Sequence, residues 1–338
     1  MTWVQLTLLR SLLVVLWSVK DVVTDIEVRK VQEIKGSLYV SLPREWAKRF
    51  GIVKGSLVLL EASPDGILVV RPWRDEQVID SSTELRKVSV IADQYLSRKL
   101  VSYYLLGFDV IEVRIRPEVG EVARKCIDEM LKLLPGLEIV EESKDAIVLQ
   151  CFTDTGGSEV SKLIQRMINV VAKMLYSVLE YFETGRKECL EDILRRDYLV
   201  DRAYFLVVRG IRKALRSRAN FDPLKLLDYR LLAMIIEQIG DLCKEFAKFA
   251  LTRDYNELSS EAITRFRSVV DVLVSALRKC IQIYERCDVA ELTKLISELS
   301  RVESELEKLS CLCCELANLL HRVEKLVGDA LDLVPYRT

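Results

Sequence analysis

Histidine is almost missing from this 338-residue chain, with His321 the only one. His-rich metal centres and histidine-based catalytic triads are thereby set aside at the start. Net charge is nearly missing too, at −1, which excludes a globally basic nucleic-acid coat but leaves room for a local basic patch. The nine cysteines follow no even, repeated framework, so the chain suits a reducing cytoplasm better than a disulfide-stapled exterior. Spanning a bilayer takes roughly 20 consecutive apolar residues, and no such run opens the chain. Trp3 to Val23 comes nearest, but Arg10, Lys20 and Asp21 break it, and the charge-free run Ser11–Val19 is short. No Ala-x-Ala-like cleavage site follows. Residues 1–25 are therefore expected to be a docking helix or the product of a misassigned start, not a membrane anchor. No phosphate-cradling glycine loop, nucleophile–base set or dinucleotide fingerprint is visible, so an enzyme is the last choice.

Glycine becomes scarce part-way along. Of thirteen glycines only Gly185, Gly210, Gly240 and Gly328 lie beyond residue 158. The front is thus turn-rich and strand-containing, while the back reads as long helices. Half the residues are hydrophobic, enough for a sizeable core in two or three domains. Over 26–73, β-branched runs alternate with turn signals: Val31–Ile34 and Leu38–Leu42 flank Gly36-Ser37, and Leu57–Leu60 and Ile67–Val70 flank Pro64-Asp65-Gly66. Between these pairs, Arg44 to Phe50 is a short helix stopped by Gly51. Residues 74–157 read as an α+β connector, with helices over 95–106 and 119–134, a strand over 110–115 and a ribbon of 138–142 with 146–151. From 158 the periodicity predicts helices at 159–184, 187–219, 223–254, 258–286 and 288–320, with a shorter one to about 334. They divide into two three-helix units, 158–256 and 257–338. The expected fold class is multidomain and mainly α.

The front block has a local charge bias. Arg29, Lys30, Lys35, Arg44, Lys48, Arg49, Lys54 and Arg71 outnumber Glu27, Glu33, Glu45, Glu61 and Asp65, as phosphate contacts require. Its text runs Arg29-Lys30-Val31-Gln32-Glu33, then Gly36-Ser37-Leu38-Tyr39-Val40-Ser41-Leu42-Pro43-Arg44-Glu45-Trp46. Phe50-Gly51-Ile52, Gly55-Ser56-Leu57-Val58 and Asp65-Gly66-Ile67-Leu68-Val69-Val70-Arg71-Pro72 follow. Residues 27–73 in this order resemble the AbrB-like (SpoVT-AbrB) DNA-binding module, in the form that opens archaeal regulators. The resemblance implies a swapped-hairpin barrel built from two chains, hence a homodimer. It also implies DNA contacts from Arg29, Lys30, Lys35 and Arg44. A block of under fifty residues has little core of its own, which agrees with burial against a partner.

In the helical half, Asp197 with Asp201 and Glu237 with Asp241 are i,i+4 pairs, each projecting two carboxylates from one helix face. On the second helix Ile235, Ile239, Leu242, Phe246 and Phe249 form the apolar face, and the acids point nearly opposite. The wheel alone makes them a solvated face. Two such helices lying antiparallel would instead gather four carboxylates, a donor set for Mg²⁺, Ca²⁺, Mn²⁺ or iron. The stretches Arg196-Asp197-Tyr198-Leu199-Val200-Asp201-Arg202, continuing to Arg209, Asp228-Tyr229-Arg230 and Glu237-Gln238-Ile239-Gly240-Asp241 resemble the PhoU family of phosphate-signalling regulators. Arg166-Met167 and Met174 fit as well. The resemblance implies a divalent metal or iron cluster on the first helical unit, held by Asp197, Asp201, Glu237 and Asp241. In the second unit Glu303-Ser304-Glu305-Leu306-Glu307 could supply acids and Arg322 and Asp329 fit, but Lys325 stands where the family has an acid, so at most a degraded site is expected. Cys311, Cys313 and Cys314 fall within the helix expected over 288–320, where neighbours diverge by about 100° and core packing is the better expectation.

Together these features imply a cytoplasmic regulator of phosphate uptake that binds operator DNA as a homodimer. The alternative is an adaptor that docks on a phosphate transporter or its signalling partner, with the front block serving only to dimerise.

Overall fold

The computed structural model describes residues 27–62, 66–73, 85–153, 156, 159–216, 221–252 and 258–334. The expected N-terminal docking helix and the Pro64-Asp65 half of the second hairpin turn lie outside them. The chain divides into two units, residues 1–83 and 84–338.

The smaller unit holds two hairpins around a short helix. Strands β1 (Gln32–Ile34) and β2 (Ser37–Tyr39) pair antiparallel through Lys35 and Gly36. Both turn residues have positive φ, 52° and 80°, the signature of a two-residue type I′ turn, which is why glycine sits there. The turn is thus one residue earlier than the Gly36-Ser37 expected. Pro43 leads into α1 (Arg44–Arg49), and Gly51 at φ +66° ends the turn that follows. Strands β3 (Val58–Ala62) and β4 (Leu68–Pro72) form the second hairpin. The two hairpins are separate two-stranded sheets, and none of the described residues 27–73 is buried.

The larger unit begins with an α/β layer: β5 (Lys87–Ile91), α2 (Leu96–Leu105), β6 (Val110–Arg114), α3 (Gly120–Leu133), β7 (Leu137–Glu142) and β8 (Ala146–Cys151). Its sheet runs β5-β6-β8-β7, with β5 parallel to β6 and the other pairs antiparallel. The expected two-stranded ribbon is therefore half of a four-stranded sheet. Ile111, Val113, Ile147 and Leu149 alternate inward against Leu100, Tyr104 and Ile127 of the helices.

Six helices follow: α4 (Val160–Thr184), α5 (Glu188–Arg216), α6 (Pro223–Leu251), α7 (Ser260–Arg286), α8 (Val289–Leu309) and α9 (Cys314–Asp332). Their ends are written locally. Asp222, Ser259 and Asp288 each accept a hydrogen bond from a first-turn amide, and Pro223 opens α6. Gly185 closes α4 at φ +71°. All six helices share one hydrophobic core, so the two three-helix groups are fused through their apolar faces. The helix expected over 288–320 is broken at Ser310–Cys313, where no glycine or proline announces it. α9 turns back there to pack on α8. The break corrects the reading of the cysteine trio for two of them: Cys311 and Cys314 are exposed, whereas Cys313 is half-buried and packs against the core.

Candidate functional site

Helices α5 and α6 pack side by side, and their facing stripes form a charged seam. On α5 the stripe is Asp197, Asp201, Tyr204 and Arg212; on α6 it is Arg230, Glu237, Asp241 and Lys244, each set at helical i+3, i+4 or i+7 to i+8 spacing. All eight are at least half-buried, and Asp197 is only 5 % exposed. The expected solvated face is thus covered, because α5 lies over it. The apolar face assigned to α6 holds at Ile235, Ile239, Leu242 and Phe246, whereas Phe249 is 39 % exposed.

The four acids meet one another's fields. Burial raises the Glu237 carboxyl to a pKa of about 7, with Asp241, Asp201 and Asp197 adding to the effect. Asp201 rises to about 6 by burial and then by Asp197. Asp197 is raised as well, since desolvation outweighs its partner there. That partner is Lys244, a residue sequence reasoning did not single out. Its Nζ lies 2.5 Å from Asp197 Oδ2 and 3.3 Å from Asp241 Oδ1. Desolvation works against the Lys244 ammonium, but the Asp197 hydrogen bond and the surrounding carboxylates hold its proton more tightly than usual. Only the i+3 step from Asp241 marks it in the sequence, and that step does not reveal Asp197 across the seam.

This arrangement does not fit the implied metal. Among the described residues no three His, Cys, Asp or Glu side chains are placed to hold one. A divalent ion would have to displace the Lys244 ammonium to reach Asp197 and Asp241. In the second helical group Glu303 and Glu324 feel each other's charge, Glu305 pairs with Lys308 at 2.9 Å, and Arg322 reaches Glu245 of α6 at 3.4 Å.

Helix α5 also carries the α/β layer. Arg209, 1 % exposed, donates Nη1 to the carbonyls of Tyr104 (2.6 Å) and Phe108 (3.0 Å) and Nη2 to Asp109 Oδ1 (3.3 Å). Its guanidinium lies 4.9 Å from the centre of the Tyr104 ring. Two and three turns earlier, Arg202 and Tyr198 donate to the carbonyl of Lys132 at the end of α3. The helix that presents Asp197 and Asp201 on one side is thus bolted to the α/β layer on the other.

Residues 164–250, spanning most of α4 and α6 and all of α5, match the PhoU domain. This chain carries a PhoU domain. Its bounds enclose the whole seam, from Asp197 to Lys244, and Arg209. Residues 31–77 match a second family, described as the antidote-toxin recognition protein MazE, a bacterial antitoxin. No curated protein and no solved structure matches the chain.

The MazE-like unit distributes its candidate contacts in two places. Arg29 pairs with Glu27 and donates to Ser41 Oγ at 3.4 Å, at the open end of the first hairpin. Lys30 adjoins it, and Arg44 starts α1 three residues past Ser41. Lys35 is at the tip of the hairpin, with φ +52°. Strand geometry puts about 20 Å between Arg29 and Lys35, so within one chain they do not form a single patch. All four are exposed.

Proposed function

We propose that this chain is a regulator of phosphate homeostasis that binds operator DNA as a homodimer through its MazE-like unit. The PhoU domain supports the first half of that reading. The observation that carries the second is the bareness of residues 27–73: Val28, Leu38 and Val53 are 97 %, 75 % and 71 % exposed, and no described residue there is buried. Two separate two-stranded sheets are not stable alone in water, and a second copy supplies an apolar surface of matching kind. Pairing would also let the hairpin tip of one chain, with Lys35, approach the Arg29–Lys30–Arg44 end of the other and make one basic surface. In the PhoU half, Arg209, Tyr198 and Arg202 fasten α5 to the α/β layer, so a shift in the seam would move that layer with it. All nine cysteines are unpaired, which suits a reducing compartment.

The test is a gel shift on the DNA upstream of the chain's own gene, at two salt concentrations. The reading predicts binding that weakens with salt, roughly tenfold or more on doubling it for several phosphate contacts, and that is lost in R29A/K30A/R44A. Binding unchanged in that variant would sink it and favour the adaptor reading.

A further inference from the structure

The seam changes sign along its length. Toward the C-terminal end of α5 it holds Arg212 and, across from it, Arg230; beyond them lie Arg216 and Arg86. Arg86 and Arg216 both donate Nη1 to one oxygen, the Leu106 carbonyl at the end of α2, Arg86 at 2.6 Å. Both Nη1 atoms lie 3.8 Å from where a Cβ on Gly107 would be. Arg212 and Arg230 make no ion pair among the described residues. The nearby acids are engaged elsewhere: Asp109 takes Arg209 and the Arg86 amide, and Asp228 takes the Tyr284 hydroxyl at 2.5 Å. Glu237 is seven residues along α6, about 10 Å from the Arg230 level.

We propose that Arg212, Arg230, Arg216 and Arg86 form a binding site for a phosphoryl oxyanion. Four guanidinium groups gathered around neutral acceptors repel one another, and burial with that repulsion loosens the protons of Arg212 and Arg216. A multiply charged anion removes the repulsion. Two of the guanidinium groups also sit over aromatic rings: Arg230 lies 5.0 Å from the centre of the Tyr204 ring and Arg86 4.2 Å from that of Phe108. Stacked guanidinium groups present paired N–H donors that match tetrahedral oxyanions, a geometry lysine cannot copy. Capping of α2 at its C-terminal carbonyl explains Arg86 and Arg216, and the Tyr204 hydroxyl partners Arg230, but neither gives the four guanidinium groups a counter-charge. An anion explains all four.

The full chain is titrated by calorimetry with inorganic phosphate, pyrophosphate and ATP at fixed ionic strength, beside R212A/R230A and the charge-keeping R212K/R230K. Saturable binding of at least one probe is expected, weakened at least about tenfold in the alanine pair and by a smaller factor in the lysine pair. Tightest binding of inorganic phosphate assigns the free ion; tightest binding of pyrophosphate or ATP assigns a phosphoanhydride chain. Should the alanine pair lose its cooperative melt, the lysine pair carries the comparison. No saturable binding up to about 10 mM, or affinity unchanged in the folded variants, overturns the site. Failure here leaves DNA binding by residues 27–73 untouched, and failure of DNA binding leaves this site standing.

Discussion

Lys244 and Glu237 place opposite demands on the same few ångströms of the α5–α6 seam. The ammonium neutralises Asp197 and Asp241, which leaves Glu237 and Asp201 to keep protons well above the ordinary carboxylate range. Their folded pKa values exceed the unfolded ones, so the folded state binds more protons through this window. The stability they contribute is full below about pH 4 and is lost as pH rises through 6 to 7. E237Q removes the charge without changing shape. It is expected to be about 1–2 kcal/mol more stable than wild type at pH 8 and within about 0.5 kcal/mol of it at pH 5, measured by urea unfolding in the presence of a chelator. An equal offset at both pH values would contradict the assignment. Arg209 acts differently, through three hydrogen bonds from a side chain with almost no exposure. R209M should lose about 3 kcal/mol, since two carbonyls and Asp109 are left without their donor; a loss under about 0.5 kcal/mol in the same assay would show that the α/β layer is held by apolar packing instead.

Among the elements, Gly136 shows how tightly the α/β layer is closed. It turns the chain into β7 at φ +75°, and a Cβ there would lie 2.4 Å from Thr153 Cγ2. Thr153 and Tyr104 both donate to the carbonyl of Pro135 just before it. G136A therefore combines a strained backbone with a clash and is expected to cost about 2 kcal/mol or more, whereas G240A, whose nearest neighbour is Val200 Cγ1 at 3.5 Å, should be neutral or stabilise α6 by up to about 1 kcal/mol. Thermal melts of the two variants decide this, and equal losses would contradict it. Elements bounded by strong local signals were legible from the residues: the Gly36 hairpin, α6 behind Asp222-Pro223, α4 up to Gly185. Strand β5 was not, because Val88 and Val90 are too few to establish a period of two. The break at Ser310–Cys313 was not either, since it is imposed by α9 folding back. The carboxylate stripes were legible and so was their convergence on antiparallel helices, but a single helical wheel cannot show that α5 covers them. It also cannot show that Lys244 stands among them.

Across the whole molecule, residues 27–73 and residues 84–338 obey different economies of burial. The larger unit has two cores of its own, one in the α/β layer and one running through six helices. The smaller has none among its described residues, and its exposed Val28, Leu38, Val53 and Leu57 are the cost of folding without a partner. A second copy of the chain is the cover proposed for them. The direct test is the mass of the full chain by light scattering behind size exclusion, at concentrations down to about 1 µM. Twice the chain mass is expected, falling to the monomer in an L38D/L57D variant whose helical circular dichroism persists. A wild-type monomer with protected amides in residues 32–39 and 58–72 would contradict it, because those hairpins would then be stable alone.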